Sequence, residues 1–166
     1  MSIGIDRCAL EGVLILEPRR FQDARGFFSE SWNRRTLRGA GVELPEFVQD
    51  NHSMSREVGT LRGLHYQVGP SEETKVVTCL QGTLHDVVLD LRPDSPRFGE
   101  HAVVELSGTN RRLLIIPPGC AHGFMTLKDG TLVLYMVSSA YDPARERAVR
   151  WNDPGFAISW PDEPRV

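Results

Sequence analysis

The chain has 166 residues, with 19 Lys and Arg against 22 Asp and Glu, and this length suits one domain that buries most of its apolar surface. The near balance of charge excludes a general binder of nucleic acid or acidic membranes, so any anion must be bound by a few local cations. No apolar run is long enough to span a bilayer. The three cysteines (Cys8, Cys79 and Cys120) form no C-x-x-C pair, which favours buried free thiols in a reducing compartment. We therefore expect one cytoplasmic domain comprising residues 1–166.

The predicted elements begin with a short helix at residues 33–40, which Gly39 and Gly41 end. Strand patterns dominate after residue 45. Short runs rich in Val, Leu and Ile, separated by Gly and Pro turns, predict strands at residues 75–80, 84–91, 101–106, 111–116 and 131–138. A further helical turn is predicted at residues 142–147. Regular short strands of this kind are typical of an all-β antiparallel sandwich or barrel, here with one or two short helices.

The segment T-L-R-G-L-H-Y-Q at residues 60–67 is the most informative of the strand-like runs. Alternation sends His65 and Gln67 to one face of the strand, and Leu64 and Tyr66 to the other. An imidazole in a half-buried strand, close to the cation of Arg62, can act as a general base next to an anionic ligand. The segment therefore predicts part of a catalytic site.

Three more segments carry polar residues of the same kind. They are D-A-R-G-F-F-S-E at residues 23–30, Q-D-N-H-S at 49–53 and P-G-C-A-H-G-F at 118–124. Together with R-G-L-H-Y-Q, and in this order, they resemble the dTDP-4-dehydrorhamnose 3,5-epimerase family over about residues 23–161. The resemblance implies a cupin-type jelly roll and a homodimer in which N-terminal strands pair with the partner subunit. It also implies an isomerase of deoxysugar biosynthesis that acts on a nucleotide-linked 4-keto-6-deoxy sugar, with dTDP as the expected nucleotide.

The chemistry of such a sugar defines what the site must contain. The C4 ketone acidifies the C–H bonds at C3 and C5, so inversion needs a base, an acid on the opposite face and a cation near the enolate oxygen. The resemblance implies His65 as the base, Tyr135 as the acid and Lys75 as a residue that contacts the substrate and stabilises charge. A strand histidine alone is more often structural, Tyr135 also fits a plain core strand, and Lys75 fits an ordinary charge at a strand start.

Further positions match substrate-binding residues of the family. Arg25 and Arg62 suit bidentate contact with phosphate, and Tyr141 matches a tyrosine that stacks on thymine. The other matching binding residues are Glu30, Gln49, Asn51, His122 and Glu146. In the family, the residues at the positions of Arg25 and Glu30 often reach into the neighbouring subunit's site. For these two an exposed turn salt bridge is the competing interpretation, and Glu146 fits a solvated charged run equally well.

The remaining histidines and acidic residues are assigned supporting roles. His52, His85 and His101 match no ligand position and are interpreted as structural. Asp86 and Asp90 alternate with apolar residues, and we expect one of the two, with Asp86 favoured, to point into the barrel and support the site. Metal-binding cupins carry two histidines one residue apart, whereas this chain contains no H-x-H. We therefore expect neither a metal nor another cofactor.

One departure from the family pattern concerns the base. The family continues past its W-P element with a segment like L-S-x-K-D, whose aspartate pairs with the base histidine, whereas this sequence ends at Val166. His65 then needs another group to orient its imidazole, which makes inversion at a single carbon, or action on another nucleotide sugar, a real alternative. Two rivals also stay open: a 3,4-ketoisomerase of the same fold, and a non-catalytic cupin that binds a sugar nucleotide.

Overall fold

A computed structural model describes residues 3–165 of the chain. The strands are β1 (Ile3–Arg7), β2 (Leu14–Pro18), β3 (Arg20–Asp23), β4 (Gly26–Ser29), β5 (Gln49–Ser55), β6 (Leu61–Gln67), β7 (Lys75–Gln81), β8 (Thr83–Asp90), β9 (His101–Ser107), β10 (Leu113–Ile116), β11 (Cys120–Thr126), β12 (Thr131–Val137) and β13 (Glu146–Ala148). The helical elements are α1 (Arg34–Gly39) and a single 3₁₀ turn at Gly69–Ser71.

Two antiparallel sheets form the body of the molecule. One sheet has six strands in the order β1-β2-β10-β7-β12-β5, the other has five in the order β13-β6-β11-β8-β9, and β3 and β4 form a separate hairpin. Buried side chains from both sheets form a shared core, including Val77, Leu114 and Val133 from the first sheet and Val88 and Phe124 from the second. This arrangement confirms the all-β antiparallel fold predicted from the sequence.

Strand boundaries agree closely with the prediction except at β10. This strand begins at Leu113 rather than at residue 111, because Arg111 has a positive φ of 57° that does not fit an extended strand. Strands β1 to β5 and β11 were not predicted as strands. Strands β1 to β4 are short, and the hairpin strands β3 and β4 are largely exposed, so no clear alternation marks these two. Strands β5 and β11 were identified only as segments with polar residues.

The predicted helix at residues 33–40 is present as α1. The side chain of Asn33 caps it by accepting hydrogen bonds from the backbone N–H groups of Arg35 and Thr36, as expected at a helix N-terminus, and Leu37 packs into the core. The helical turn predicted at residues 142–147 is wrong in its second half. Asp142 caps one turn, and the chain then enters β13, which pairs with β6. The free edge of β6 offers backbone hydrogen bonds that a helix could not use.

Two glycines allow β6 and β11 to approach each other closely. A Cβ on Gly63, where φ is 102°, would lie 2.5 Å from the carbonyl oxygen of His122, and one on Gly123 would lie 2.8 Å from that of Arg62. Any larger residue would force the strands apart. The register between the two strands shifts at the same place, between His122 and Phe124.

The C-terminal segment covers the outer face of the five-stranded sheet. Trp151, Phe156 and Trp160 pack there against a buried cluster that includes Leu64 and Leu89. Leu64 and its strand neighbour Tyr66 both join this cluster, in agreement with the predicted alternation, although Tyr66 also borders the cavity described below. Within residues 3–165, no helix has the length and apolar character needed to cross a membrane.

The three cysteines are all free thiols. Cys79 and Cys120 are buried, as predicted, whereas Cys8 is only partly buried. Burial raises the pKa of all three thiols, that of Cys120 to about 11. At neutral pH these side chains are therefore protonated and poor nucleophiles.

Candidate active site

A cavity of about 440 Å³ opens between the two sheets. Most of the sequence-predicted site residues line it: Gln49, Asn51, Arg62, His65, Lys75, His122, Tyr135, Tyr141 and Glu146. Its wall also includes polar residues for which no role was predicted, among them Ser53, Gln67 and Glu73. Residues that are far apart in the chain thus converge on one polar cavity.

His65 is held by a carboxylate. Its Nδ1 lies 2.7 Å from Oε1 of Glu146, and the other oxygen of Glu146 accepts a hydrogen bond of 2.8 Å from the hydroxyl of Tyr141. The hydrogen bond from His65, and then that from Tyr141, lowers the pKa of Glu146, so this carboxylate is charged at neutral pH. When Nδ1–H donates to it, Nε2 of His65 carries the lone pair of a base.

Tyr135 approaches the cavity from the opposite sheet. It lies on β12 of the six-stranded sheet, whereas His65 lies on β6 of the five-stranded sheet. Burial, followed by the negative charge of Glu73, raises the pKa of the Tyr135 phenol, while Arg62 opposes the shift. Tyr135 is therefore a neutral phenol at pH 7, and it lines the same cavity as the imidazole of His65.

Lys75 begins β7 and forms an ion pair that the sequence analysis missed. Its Nζ lies 3.0 Å from Oε1 of Glu73, and both side chains are nearly buried. The two residues are separated by one position, so they share a face of an extended segment. That spacing, in E-E-T-K, is the feature from which the pair could have been predicted.

A second histidine–carboxylate pair lies beside the first. Nε2 of His122 is 2.8 Å from Oδ1 of Asp86 on β8, and His122 faces His65 directly across the β6–β11 pairing. Asp86 is fully buried, and this burial raises its pKa despite the opposing effect of His122. Its Oδ2 has no hydrogen-bond partner within residues 3–165. Asp86 therefore points inward, as predicted, and holds the imidazole of His122.

Two side-chain amides of the edge strand β5, those of Gln49 and Asn51, line the cavity. Nε2 of Gln49 donates a 2.8 Å hydrogen bond to Oδ1 of Asn51, and Oε1 of Gln49 accepts one from the backbone N–H of Tyr141. Arg62 is fixed nearby through Ser55 and the carbonyl of Met54. Strict alternation would put Arg62 and His65 on different faces of β6. The positive φ of Gly63 between them and the register shift between β6 and β11 bring both side chains to the cavity.

Arg25 and Glu30 do not reach this cavity. Arg25 lies in the β3–β4 turn with its side chain 90% exposed, and it pairs with Asp23. Glu30 accepts hydrogen bonds from Asn33 and Thr36 beside α1. The turn salt bridge considered for Arg25 is thus present in this chain. Their predicted role in a neighbouring subunit's site stays a prediction.

The geometry does not bring together a metal-ligand set. Within residues 3–165, no three His, Cys, Asp or Glu side chains converge so that they could hold an ion. The two cavity histidines each contact a carboxylate instead. His85 lies apart from the cavity and packs against Trp160, with 5.8 Å between the ring centroids, which fits its predicted structural role.

Comparison with known proteins gives the family. A family model described as dTDP-4-dehydrorhamnose 3,5-epimerase matches residues 7–166. The enzyme of that name from Salmonella typhimurium is 45% identical over 155 residues, covering 93% of this chain and 84% of that protein. The crystal structure of the Bacillus anthracis enzyme with TDP and PPi bound is 44% identical with a TM-score of 0.93, covering 96% of this chain and 91% of that one.

A further solved structure is similar but carries a different name. A 3'-monoepimerase from Streptomyces bikiniensis, in complex with dTDP-quinovose, is 33% identical with a TM-score of 0.87, covering 99% of this chain and 80% of that one. The structural likeness confirms the predicted cupin-type jelly roll. With the matched model and the identities above, it shows that the chain is an isomerase and belongs to the dTDP-4-dehydrorhamnose 3,5-epimerase family.

Proposed function

We propose that this chain epimerises a dTDP-linked 4-keto-6-deoxy sugar at C3 and C5, with no metal or redox cofactor. The observation that carries the proposal is the placement of a carboxylate-held imidazole, His65, and a neutral phenol, Tyr135, on opposite sheets around one cavity. The relatives with matching names, and those solved with TDP or dTDP-sugars, support the substrate class.

The reaction divides between these two residues. Nε2 of His65 removes the proton at C3 or C5, and the electron pair of the broken C–H bond moves into the C4 carbonyl to give an enolate. The ammonium of Lys75 stabilises the oxygen on which the charge develops. Tyr135 then delivers a proton to the opposite face of the same carbon, which inverts it.

Glu146 takes the role of orienting the imidazole of His65. Its contact with Nδ1 of His65 fixes the tautomer that leaves Nε2 free of a proton, and the charged carboxylate stabilises the imidazolium formed by proton abstraction. Glu146 was predicted only to bind substrate. Because this carboxylate orients the base, poor orientation of His65 no longer favours inversion at one carbon alone. We therefore expect both C3 and C5 to be inverted.

The nucleotide end of the substrate requires other residues. Arg62 contacts the diphosphate, Gln49 and Asn51 offer amide donors and acceptors, and the exposed ring of Tyr141 at the cavity rim stacks on the base. The protein acts as a homodimer in which Arg25 and Glu30 reach the partner's cavity. The exposed phenylalanines of the β3–β4 hairpin, Phe21, Phe27 and Phe28, support a contact of this kind.

Solvent deuterium exchange tests the proposal. The enzyme is incubated in D₂O with dTDP-4-keto-6-deoxyglucose, and NMR follows deuterium entry and configuration at C3 and C5. We expect deuterium at both carbons, with inversion. Tyr135→Phe should keep exchange, because His65 still removes and returns the proton, but inverted product should become scarce.

Each rival function has its own outcome in the same experiment. Migration of the keto group to C3 would favour the ketoisomerase. Binding without exchange would favour the non-catalytic cupin, and exchange at one carbon only would favour a monoepimerase like the Streptomyces bikiniensis relative. Full inversion by Tyr135→Phe would assign the acid to water or to another residue.

A further inference from the structure

Glu73 is a nearly buried carboxylate in the wall of the cavity that the proposed mechanism does not use. Its side chain is 8% exposed. Oε1 lies 3.0 Å from Nζ of Lys75, and Oε2 accepts a 3.1 Å hydrogen bond from Nε2 of Gln67. Removing a carboxylate from water is costly unless its charge is paired and its oxygens are hydrogen-bonded. Both conditions are met here, so Glu73 is held firmly in its place.

Gln67 forms the fixed end of this chain of contacts. Its Nε2 also donates to the carbonyl oxygens of Ser71 and Ala140, and its Oε1 accepts a 2.6 Å hydrogen bond from the backbone N–H of Asp142. The amide is therefore anchored by backbone on both sides. It positions Glu73, and Glu73 in turn positions the ammonium of Lys75.

Lys75 needs such a partner because its side chain is long and flexible. An unpaired lysine directs its ammonium toward water, whereas this side chain is only 13% exposed and is held at the cavity wall. An ammonium has three N–H donors. Because Glu73 takes one of them, the others stay available for an oxygen in the cavity.

The charge of Glu73 also acts on Tyr135, which lines the same cavity and lies on β12, the strand that pairs with β7 of Lys75. Among the charged groups that affect this phenol, Glu73 raises its pKa most, Arg62 lowers it, and Glu146 raises it by a smaller amount. Burial acts in the same direction as the two carboxylates and is the largest cause. Loss of the Glu73 charge thus shifts the phenol toward ionisation at lower pH, which would remove the proton that it delivers.

We propose that Glu73 is a positioning residue of the epimerase, which fixes Nζ of Lys75 at the enolate oxygen and sets the charge that faces Tyr135. This inference rests on the proposed function. Glu73 acts only through its two neighbours, so its loss affects the rate of turnover far more than substrate binding.

The test compares two isosteric substitutions that remove the same charge one residue apart. Glu73→Gln removes the buried charge, and Gln67 keeps its bonds to Ser71 and Ala140. Glu72→Gln removes an exposed charge and serves as the matched control. For Glu73→Gln we expect kcat to fall on the order of 10- to 100-fold, the scale of a misplaced catalytic group, with KM nearly unchanged. The alkaline limb of its pH–rate profile should move to lower pH, and Glu72→Gln should match the wild type.

Glu73→Asp distinguishes the effect of the negative charge from the effect of the length of the side chain. It keeps the carboxylate but shortens it by one methylene group, so the alkaline limb should return toward that of the wild type while kcat stays low. An alkaline limb as low as that of Glu73→Gln would overturn the effect of the charge on Tyr135, and a wild-type kcat would overturn the positioning of Lys75. Circular dichroism and thermal melts give the folded fraction, to which every rate is normalised.

Failure of this inference is distinguishable from failure of the proposed function. If the wild type exchanges no proton at C3 or C5 of dTDP-4-keto-6-deoxyglucose, the proposed function itself is wrong. If the wild type is active and folded Glu73→Gln has the same kcat and pH profile, only the role of Glu73 is overturned.

Discussion

Two histidine–carboxylate pairs lie at the cavity with nearly equal contact distances, but they differ in exposure and in the imidazole nitrogen that makes the contact. Glu146 holds Nδ1 of His65 at 2.7 Å, and Asp86 holds Nε2 of His122 at 2.8 Å. In the first pair the side chains are 48% and 32% exposed, whereas in the second they are 11% and 0% exposed, histidine first. The two imidazoles are direct neighbours across the β6–β11 pairing.

The difference in exposure changes the chemistry of the carboxylate. Hydrogen bonds from His65 and Tyr141 lower the pKa of Glu146, whereas burial raises that of Asp86. A stable negative charge beside His65 favours the imidazolium that a base becomes after it takes a proton. The exposed pair is therefore suited to proton transfer, and the buried pair to holding an imidazole as a contact for the substrate.

The largest expected loss of turnover is that of His65→Asn, and it should distinguish the imidazole of His65 from that of His122. His65→Asn should reduce turnover by a factor of roughly 100 or more, the usual scale of a lost general base, with the fold and nucleotide binding retained. His122→Asn should reduce it less and act mainly on KM. Steady-state kinetics together with NMR exchange measure both variants, and near-normal exchange at C3 and C5 by His65→Asn would remove His65 from the mechanism.

Loss of the carboxylate of Glu146 should reduce kcat more than loss of the carboxylate of Asp86, as for the histidines that they hold. Glu146→Gln should lower kcat on the order of 10- to 100-fold, the range for loss of a group that orients a functional histidine. Asp86→Asn, which changes the buried pair by the same atoms, should cost much less in kcat. Equal losses in the two variants would show that the exposure of the pair does not decide its role.

Thermal melts against pH should reveal opposite trends for these two variants. The pKa of Glu146 is lowered in the folded state, so its stabilising effect is complete above its ordinary pKa of 4.5 and is lost as the pH falls below it. The Tm difference between the wild type and Glu146→Gln should therefore shrink in acid. The pKa of Asp86 is raised above its ordinary 3.8, so the wild type gains stability relative to Asp86→Asn as the pH falls. Parallel trends would contradict the assigned difference.

The exposed pair could be predicted only in part from the sequence. R-G-L-H-Y-Q identified His65, and alternation gave the face on which it lies. The sequence separation of His65 and Glu146 is 81 residues, and their contact requires β13, which was predicted as a helical turn. Local propensity at residues 142–147 could not include the free edge of β6, whose backbone groups hold this segment as a strand.

The fold was easier to predict where both faces of a strand are buried. Strands β7, β8 and β12 are rich in Val and Leu and lie next to glycine turns, so their existence was clear from composition. The hairpin strands β3 and β4 lack this pattern because they are largely exposed on both faces. Asp86 was predicted to point inward because it interrupts an apolar run. Its contact with His122, which was predicted only as a substrate-binding residue, could not be foreseen without the β8–β11 pairing.

A smaller effect separates the two roles of Tyr141, which touches the exposed pair but not the buried one. Tyr141→Phe removes only the hydrogen bond to Glu146, so a reduction of a few-fold in kcat is expected, with unchanged affinity for dTDP. Tyr141→Ala also removes the ring and should weaken dTDP binding on the order of 10- to 100-fold, the range for base–aromatic stacking. Calorimetry measures both variants, and unchanged affinity in Tyr141→Ala would show that this ring is not the stacking partner.

The smallest expected effect is that of a chelator, and it tests whether the two pairs are independent of metal. Two adjacent imidazoles with two carboxylates have the composition of a metal site, but each imidazole nitrogen that faces a carboxylate is already used in a hydrogen bond. In the proposed mechanism, Lys75 supplies the positive charge near the enolate oxygen. Dialysis against a strong chelator should therefore leave both the rate of epimerisation and the exchange at C3 and C5 unchanged. Loss of activity that one divalent ion restores would mean that the histidines act as metal ligands. The assignment of His65–Glu146 to proton transfer and of His122–Asp86 to a supporting role would then be wrong.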